Sequence, residues 1–385
     1  MTHVVIGAGP AGVRVADRLA AAGHAVTLIG DEPGVPYDRV ALSRYLARDV
    51  TIDDLRRPAA LGVRHFAGMR IAAIDRVGKR IVAENGRRIR YGSLVLATGA
   101  AAFRLPLPGA NLAHVMLYRT MADVETMIAT ARTGGDAVVI GGGLLGLEAA
   151  AGLAVRGMRV TVLHAVDRLM ERQLDFAAAE RLRAHLAHKN ITVVTTAKTE
   201  AISADGVHLG NGRILPARLV VIAVGIRPNA ALAASAGLAV GRGIVVDDAM
   251  RTSDPAILAC GECAEHRGQC VGLVAPALAQ AEVAARTALG EIAAYAPVVD
   301  SAALKIAGAP VWSAGEIAAP DAENLVLDDP DGGYRHLILR QDRLVGAVLY
   351  GATEDAPWYM RMIREATELG ARRDLLPFGP AFASA

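Results

Sequence analysis

Two glycine clusters have the spacing that could do chemistry. Gly7-Ala8-Gly9-Pro10-Ala11-Gly12 follows the apolar run Val4-Val5-Ile6, and Gly141-Gly142-Gly143-Leu144-Leu145-Gly146 follows Ala137-Val138-Val139-Ile140. Each opens a helix-like stretch, so each has the strand–turn–helix context that such a motif requires. The first glycine permits a tight turn, the second lets backbone approach a pyrophosphate, and the third lets helix pack on strand. The helix N-terminus then offers the phosphates free N–H groups and the positive end of a dipole. One copy is a weak signal. Two copies predict two bound dinucleotides, and two dinucleotides in one chain predict electron transfer between them.

The elements that position these loops read as repeated β-α-β units. The first has strands at 4–6 and 25–29 around a helix at 11–22, and the second spans 137–164. A buried strand at 94–96 runs into Ala97-Thr98-Gly99, and another at 220–224 ends at Gly225. Leu105-Pro106-Leu107-Pro108-Gly109 reads as a linker, and Arg227-Pro228-Asn229 as a second crossing between domains. From about residue 302 the pattern changes to alternating strands, with a helix near 357–369. The fold class predicted is α/β, with two Rossmann-like dinucleotide-binding domains, one inserted into the other, and a C-terminal α+β cap. The predicted boundaries are 1–104 with 226–300, then 105–225, then 301–385.

Side chains near the loops suggest their ligands. An acid at the end of the second strand of such a unit holds ribose hydroxyls. Asp31 and Glu32 stand there in the first unit, and His164 in the second. A neutral imidazole neither demands a free 2′-hydroxyl nor repels a 2′-phosphate, and Arg159 and Arg168 lie near in sequence, so NADH against NADPH stays open. His164 also reads simply as a polar strand end.

Three segments carry a family resemblance. Thr252 to Ala264, containing Pro255, Ile257, Gly261 and Glu262, resembles a segment of two-dinucleotide flavoproteins whose acid takes a ribityl hydroxyl of FAD. Thr98-Gly99 matches the A-T-G element of the same superfamily, the pyridine nucleotide-disulfide oxidoreductases. Pro36-Tyr37-Asp38-Arg39-Val40-Ala41-Leu42-Ser43-Arg44 is similar to a loop of oxygenase-coupled ferredoxin reductases. It is more similar still to one in the flavoprotein half of assimilatory NAD(P)H nitrite reductases. Residues 141–150, 169–175 and 272–276 support that branch. The resemblance runs from residue 3 to about 381. It implies FAD on the first fingerprint, held by Gly7, Gly9, Gly12, Asp31, Glu32, Arg39, Thr98, Gly99, Gly261 and Glu262. It implies NAD(P)H on the second, held by Gly141, Gly143, Gly146 and His164.

Family members with a lysine after the first strand pair set it against a glutamate near flavin N5. The matching residues here are Arg44 and Glu148, expected to be the catalytic pair. Arg keeps its proton and grips carboxylates in a fork; otherwise both are surface charges without contact. Trp312 matches a tryptophan near the isoalloxazine ring in oxygenase-coupled reductases, with core packing the equal alternative. Cys260 and Cys263 are formally C-x-x-C, but they bracket the flavin-binding acid and read better as small hydrophobes. No cysteine falls in residues 33–48, where disulfide reductases of the superfamily carry theirs. With Cys270 there are three thiols, short of an iron–sulfur set, and no metal site is expected.

The resemblance thus implies an NAD(P)H-dependent FAD reductase that passes electrons to a separate protein. Its acceptor would be a ferredoxin, a rubredoxin or a nitrate- or nitrite-reducing component. The cysteine-rich and sirohaem regions of full nitrite reductases do not occur, so a stand-alone flavoprotein without its own nitrite-reducing site is expected. Two alternatives stay open: an oxidase or quinone-type reductase with a small acceptor, and a redox-sensing flavoprotein without useful turnover. The formal net charge of +2 gives no basis for nucleic-acid binding. Apolar runs are short and no leader precedes the first strand, so the cytoplasm is expected.

Overall fold

The computed structural model describes residues 2–304, 306, 308–329 and 333–383. The chain divides into two compact units, residues 1–42, 50–102 and 225–298, and residues 43–49, 103–224 and 299–385.

The first unit is built on five parallel strands in the order Ile257–Ala259, Ser93–Leu96, Thr2–Ile6, Ala25–Ile29, Val63–Phe66. Val4, Val5, Leu94, Val95, Leu96 and Ile257 are fully buried. Such near-continuous apolar runs are what strands covered on both faces require. Helix Pro10–Ala21 carries proline at its first position and buries Val15, Ala16 and Leu19. It packs against helix Val274–Ala288. Strand order reverses between Thr2–Ile6 and Ser93–Leu96, the place where open α/β sheets bind ligands. Ala100–Ala102 pairs antiparallel with Ile226–Pro228, so the chain leaves and re-enters this unit on neighbouring strands.

The second unit repeats this plan. Its parallel sheet runs Ile191–Val194, Arg159–Leu163, Asp136–Ile140, Leu219–Ile222, Val115–Leu117. Order again reverses beside the fingerprint strand. Helix Met121–Ala131 begins in a capping box of Thr120 and Asp123. The C-terminal part is an antiparallel sheet in the order Ser301–Leu304, Val311–Gly315, Arg343–Tyr350, Gly333–Arg340, Glu323–Asp329, with helix Ala356–Glu365 against it. Asp175 joins it to the nucleotide sheet: one oxygen caps helix Phe176–His188 through the Ala178 N–H at 3.0 Å, and the other meets His336 Nδ1 at 2.8 Å. Burial opposes the Asp175 charge, but His336 and the Ala178 N–H outweigh it and hold its carboxyl below the usual range.

The stretch from Leu105 to Gly109 is no free linker. Pro108 O accepts from Ile202 N at 2.8 Å, and Gly109, at φ +79°, lies so close to the Ile202 carbonyl that a Cβ would overlap it. The proline-rich run is pinned to strand Thr199–Ser203, within a hairpin whose short, half-exposed strands give a weak sequence signal.

The two fingerprint turns share one steric solution. A Cβ on Gly7 would overlap the Ala97 carbonyl, and one on Gly141 the Ala223 carbonyl. A Cβ on Gly12 would overlap the Gly7 carbonyl, and one on Gly146 the Gly141 carbonyl. Gly12→Ala and Gly146→Ala are each expected to cost about 1–3 kcal/mol by overpacking. Denaturant melts of the variants check this, and wild-type midpoints would show that the turns have room to relax.

Candidate functional site

At the first turn, the second glycine behaves unlike its neighbours. Gly9 has φ −78° and ψ −178°, extended backbone open to any residue, and a Cβ there would meet nothing within 4 Å. Neither conformation nor packing of the protein demands glycine. The open side of Gly9 lies at the N-terminus of helix Pro10–Ala21, where the first N–H groups have no partner within the helix. Gly143 repeats this, with φ −84°, ψ 179° and open space at the head of helix Leu144–Val155.

The acid beyond strand Ala25–Ile29 is held in place. Glu32 accepts from the Tyr37 hydroxyl at 2.6 Å and is ion-paired with Arg39. Asp31 is well exposed and, among the described residues, is paired loosely with Arg70, at 3.7 Å. Glu32 is therefore the better placed of the two for a ribose. Burial opposes the Arg39 charge, yet Tyr37, Glu32 and Glu262 more than offset it and raise the guanidinium above its ordinary value. Arg39 thus lies in the field of both acids expected around the dinucleotide.

Thr98 and Gly99 follow strand Ser93–Leu96 and are bound to the re-entering chain. Thr98 Oγ1 donates to Asn229 O at 2.7 Å, Asn229 Nδ2 donates to Thr98 O at 2.9 Å, and Asn229 N to Gly99 O at 2.9 Å. Gly99, at φ +63°, leaves room for Glu262: a Cβ there would sit 3.7 Å from Glu262 Oε2. Gly261, at φ +79°, donates its N–H to Gln280 Oε1 at 2.9 Å. Gln280 is fully buried, and its Nε2 finds no hydrogen-bond partner among the described residues. An orphaned buried donor beside the Gly261–Glu262 turn fits a bound polar group. No motif points to Asn229 or Gln280 as supports. The one signal is a lone glutamine on the alanine face of helix Val274–Ala288.

In the second unit His164 is fully engaged. Gly142 N donates to its Nδ1 at 3.1 Å, and its Nε2 faces Glu171 Oε2 at 3.1 Å. Arg159 forks onto Asp136, both contacts at 2.7 Å. Arg168 binds the carbonyls of Leu174 and Glu171, each at 3.3 Å, and Asp167 at 3.2 Å.

Arg44 and Glu148 fall in this same unit. Arg44 is exposed on the short helix Leu42–Leu46. Leu46 of that helix packs so tightly on Gly152 that a Cβ there would come within 2.6 Å, and Arg156 donates to the carbonyls of Leu46 at 2.6 Å and Tyr45 at 3.0 Å. Glu148 is buried in helix Leu144–Val155. Burial first, and then the Glu148 charge, push the Tyr118 hydroxyl far above its ordinary value. Trp312 packs, half-buried, against the C-terminal core around Leu337, Leu349 and Tyr359.

All three cysteines are free, with Cys260 and Cys263 buried. The Cys263 thiol donates to Cys260 O at 3.3 Å and Leu96 O at 3.4 Å. Burial pushes all three thiols up. Among the described residues no group of three His, Cys, Asp or Glu could hold a metal ion, and no helix is long and apolar enough to cross a membrane.

A family model, the pyridine nucleotide-disulphide oxidoreductases, matches residues 1–288, and a second, the rubredoxin NAD+ reductase C-terminal domain, matches residues 301–367. The chain is 38% identical to a nitrite reductase [NAD(P)H] of Bacillus subtilis, over 95% of this chain and 47% of that protein. It is 37% identical to the assimilatory nitrate reductase electron transfer subunit of the same organism, over 91% of this chain and 48% of that one. It spans about half the length of these relatives. The crystal structure of a ferredoxin reductase from Rhodopseudomonas palustris, 29% identical, superposes with a TM-score of 0.91 over 100% of both chains.

Raised thiols make slow nucleophiles, because the thiolate is the reactive form. In folded protein at pH 8, a chromogenic disulfide reagent is expected to label at most one thiol per chain, the half-buried Cys270, and all three after denaturation. Rapid loss of two thiols as a pair would instead mark Cys260 and Cys263 as a redox couple.

Proposed function

Because the chain belongs to the pyridine nucleotide-disulphide oxidoreductase family, we propose that it is an NAD(P)H-dependent FAD reductase that hands electrons to a separate redox protein. The observation that carries this reading is the pair of open glycines, Gly9 and Gly143, each at a helix N-terminus and each unexplained by the fold. FAD, when bound, supplies the redox chemistry, taking an electron pair from a nicotinamide and releasing it to an acceptor.

The protein's part is to bind and align. Gly7 and Gly12 shape the turn, Gly9 leaves the head of helix Pro10–Ala21 open to the FAD pyrophosphate, Glu32 takes the adenosine ribose, and Arg39 fixes Glu32. Thr98, Gly99, Gly261 and Glu262 form the ribityl side. Gly141, Gly143 and Gly146 take the nicotinamide dinucleotide, with His164 shaping its loop. Residues 1–104 with 226–300 act as the FAD domain, 105–225 as the NAD(P) domain and 301–385 as the cap, where Trp312 lines the electron exit. The acceptor is a ferredoxin, a rubredoxin or a nitrate- or nitrite-reducing component, in the cytoplasm. The names of the relatives above and the rubredoxin reductase match at residues 301–367 support that choice.

The test is direct. Purified protein should be yellow, with about one FAD per chain, and should bleach anaerobically on adding NADH or NADPH. Added ferredoxin, rubredoxin or nitrate reductase subunit should restore the colour faster than oxygen or a quinone does. A folded, colourless protein that takes up no FAD would refute the assignment, and preferential reoxidation by oxygen would make it an oxidase.

We propose further that Arg44 and Glu148 act as one unit in flavin reduction. Arg44→Ala removes a fixed cation, which should slow bleaching about tenfold, or 1.4 kcal/mol. Glu148→Gln should cost less, and the double variant should recover part of the loss. Strict additivity across the four proteins would separate the two residues.

A further inference from the structure

NADH and NADPH differ only in the phosphate on the adenosine 2′-oxygen, so one charge beside that oxygen decides between them. In a β-α-β dinucleotide unit the adenosine ribose lies at the end of the second strand. In the second unit that strand is Arg159–Leu163, and the residue after it is His164, which carries no fixed charge. The sequence therefore shows no selector.

The structure supplies a carboxylate from the next loop. A backbone N–H can only donate, so the bond from Gly142 N to His164 Nδ1 leaves that nitrogen without a proton. In the neutral ring the proton is on Nε2, which donates to Glu171 Oε2 at 3.1 Å. Met170 N donates to Gly142 O at 3.0 Å, and Leu169 and Met170 are buried. The loop is thus folded back onto the fingerprint turn from two directions. A Cβ on Gly142 would lie 2.7 Å from His164 Cγ and 2.8 Å from Leu169 Cδ2, so turn, imidazole and loop are close-packed. Glu171 is set beside the strand end with its side chain 32% exposed, which leaves part of its carboxylate for a ligand. The cations that could welcome a 2′-phosphate are otherwise occupied: Arg159 by Asp136, and Arg168 by Asp167 and two carbonyls. Arg172, exposed in the same loop, is a further positive charge there.

We propose that Glu171, held by His164, selects the nucleotide without a 2′-phosphate. Its carboxylate accepts from the adenosine 2′-hydroxyl and repels a phosphate in that place. This rests on the reading of the second fingerprint as the nicotinamide-nucleotide site. Selectivity of this kind works largely by penalising the wrong ligand.

The experiment is calorimetric titration of FAD-loaded full-length protein with NAD+ and with NADP+, alongside KM values for NADH and NADPH. Wild type should bind NAD+ at least about tenfold more tightly than NADP+. Glu171→Gln keeps an acceptor for His164 Nε2 and removes only the charge. It should tighten NADP+ at least about fivefold and leave NAD+ within about threefold. His164→Ala, checked for an unchanged melt, should narrow the preference by releasing Glu171. An unchanged ratio in Glu171→Gln with normal NAD+ binding overturns the proposal and leaves the nucleotide site standing. So does a wild type that prefers NADP+ and loses that preference in Arg172→Ala. A wild type that binds neither nucleotide overturns the site itself, and the selector with it.

Discussion

Two backbone carbonyls govern the design of this protein. The oxygens of Ala97 and Ala223 stand where a Cβ on Gly7 and on Gly141 would have to be. Each follows the strand beyond the reversal in sheet order, so fingerprint turn and neighbouring strand end press together at the switch point. Inside each turn the third glycine presses against the carbonyl of the first. These contacts bring each helix N-terminus down over its sheet edge, with its unsatisfied N–H groups facing one space. Everything else at the two sites is arranged around those helix ends.

The supporting side chains obey a second rule: almost every charged or polar group near a turn is fixed by another. Glu32 is held by Tyr37 and Arg39, Gly261 by Gln280, Thr98 by Asn229, and the 164–171 loop by the Gly142 backbone. Preorganised groups of this kind lose little freedom when a ligand arrives. The buried cysteines belong to the same packing. With their thiols pushed up and one bonded to backbone carbonyls, they serve the turn around Glu262 as small apolar residues.

Much of this was legible in the sequence because three glycines at fixed spacing after an apolar run mark a tight turn pressed on a strand end. The inner strands of both sheets and both fingerprint helices followed from it, the change near residue 302 was visible as alternating strands, and the edge strands Val63–Phe66, Val115–Leu117 and Ile191–Val194 were not read. Contacts between residues distant in sequence were not legible. Nothing in Leu105 to Gly109 signals that Pro108 will meet Ile202, and nothing near residue 280 announces that Gln280 will hold Gly261. His164 was visible as the wrong residue for a strand-end acid. That its ring would carry a hydrogen bond on to Glu171 depends on a loop folding back, which local spacing does not encode.

The central claim is that the second glycine of each turn serves the ligand and not the fold. Gly9→Ser tests it most directly. Serine is among the best residues at a helix N-cap, and its hydroxyl would occupy the N–H groups left for a pyrophosphate. The measurement is FAD content per chain together with the melting temperature of the FAD-free protein. The account predicts FAD content near zero and a melt unchanged from, or above, that of FAD-free wild type. A variant that keeps its FAD, or one that fails to fold, would contradict it.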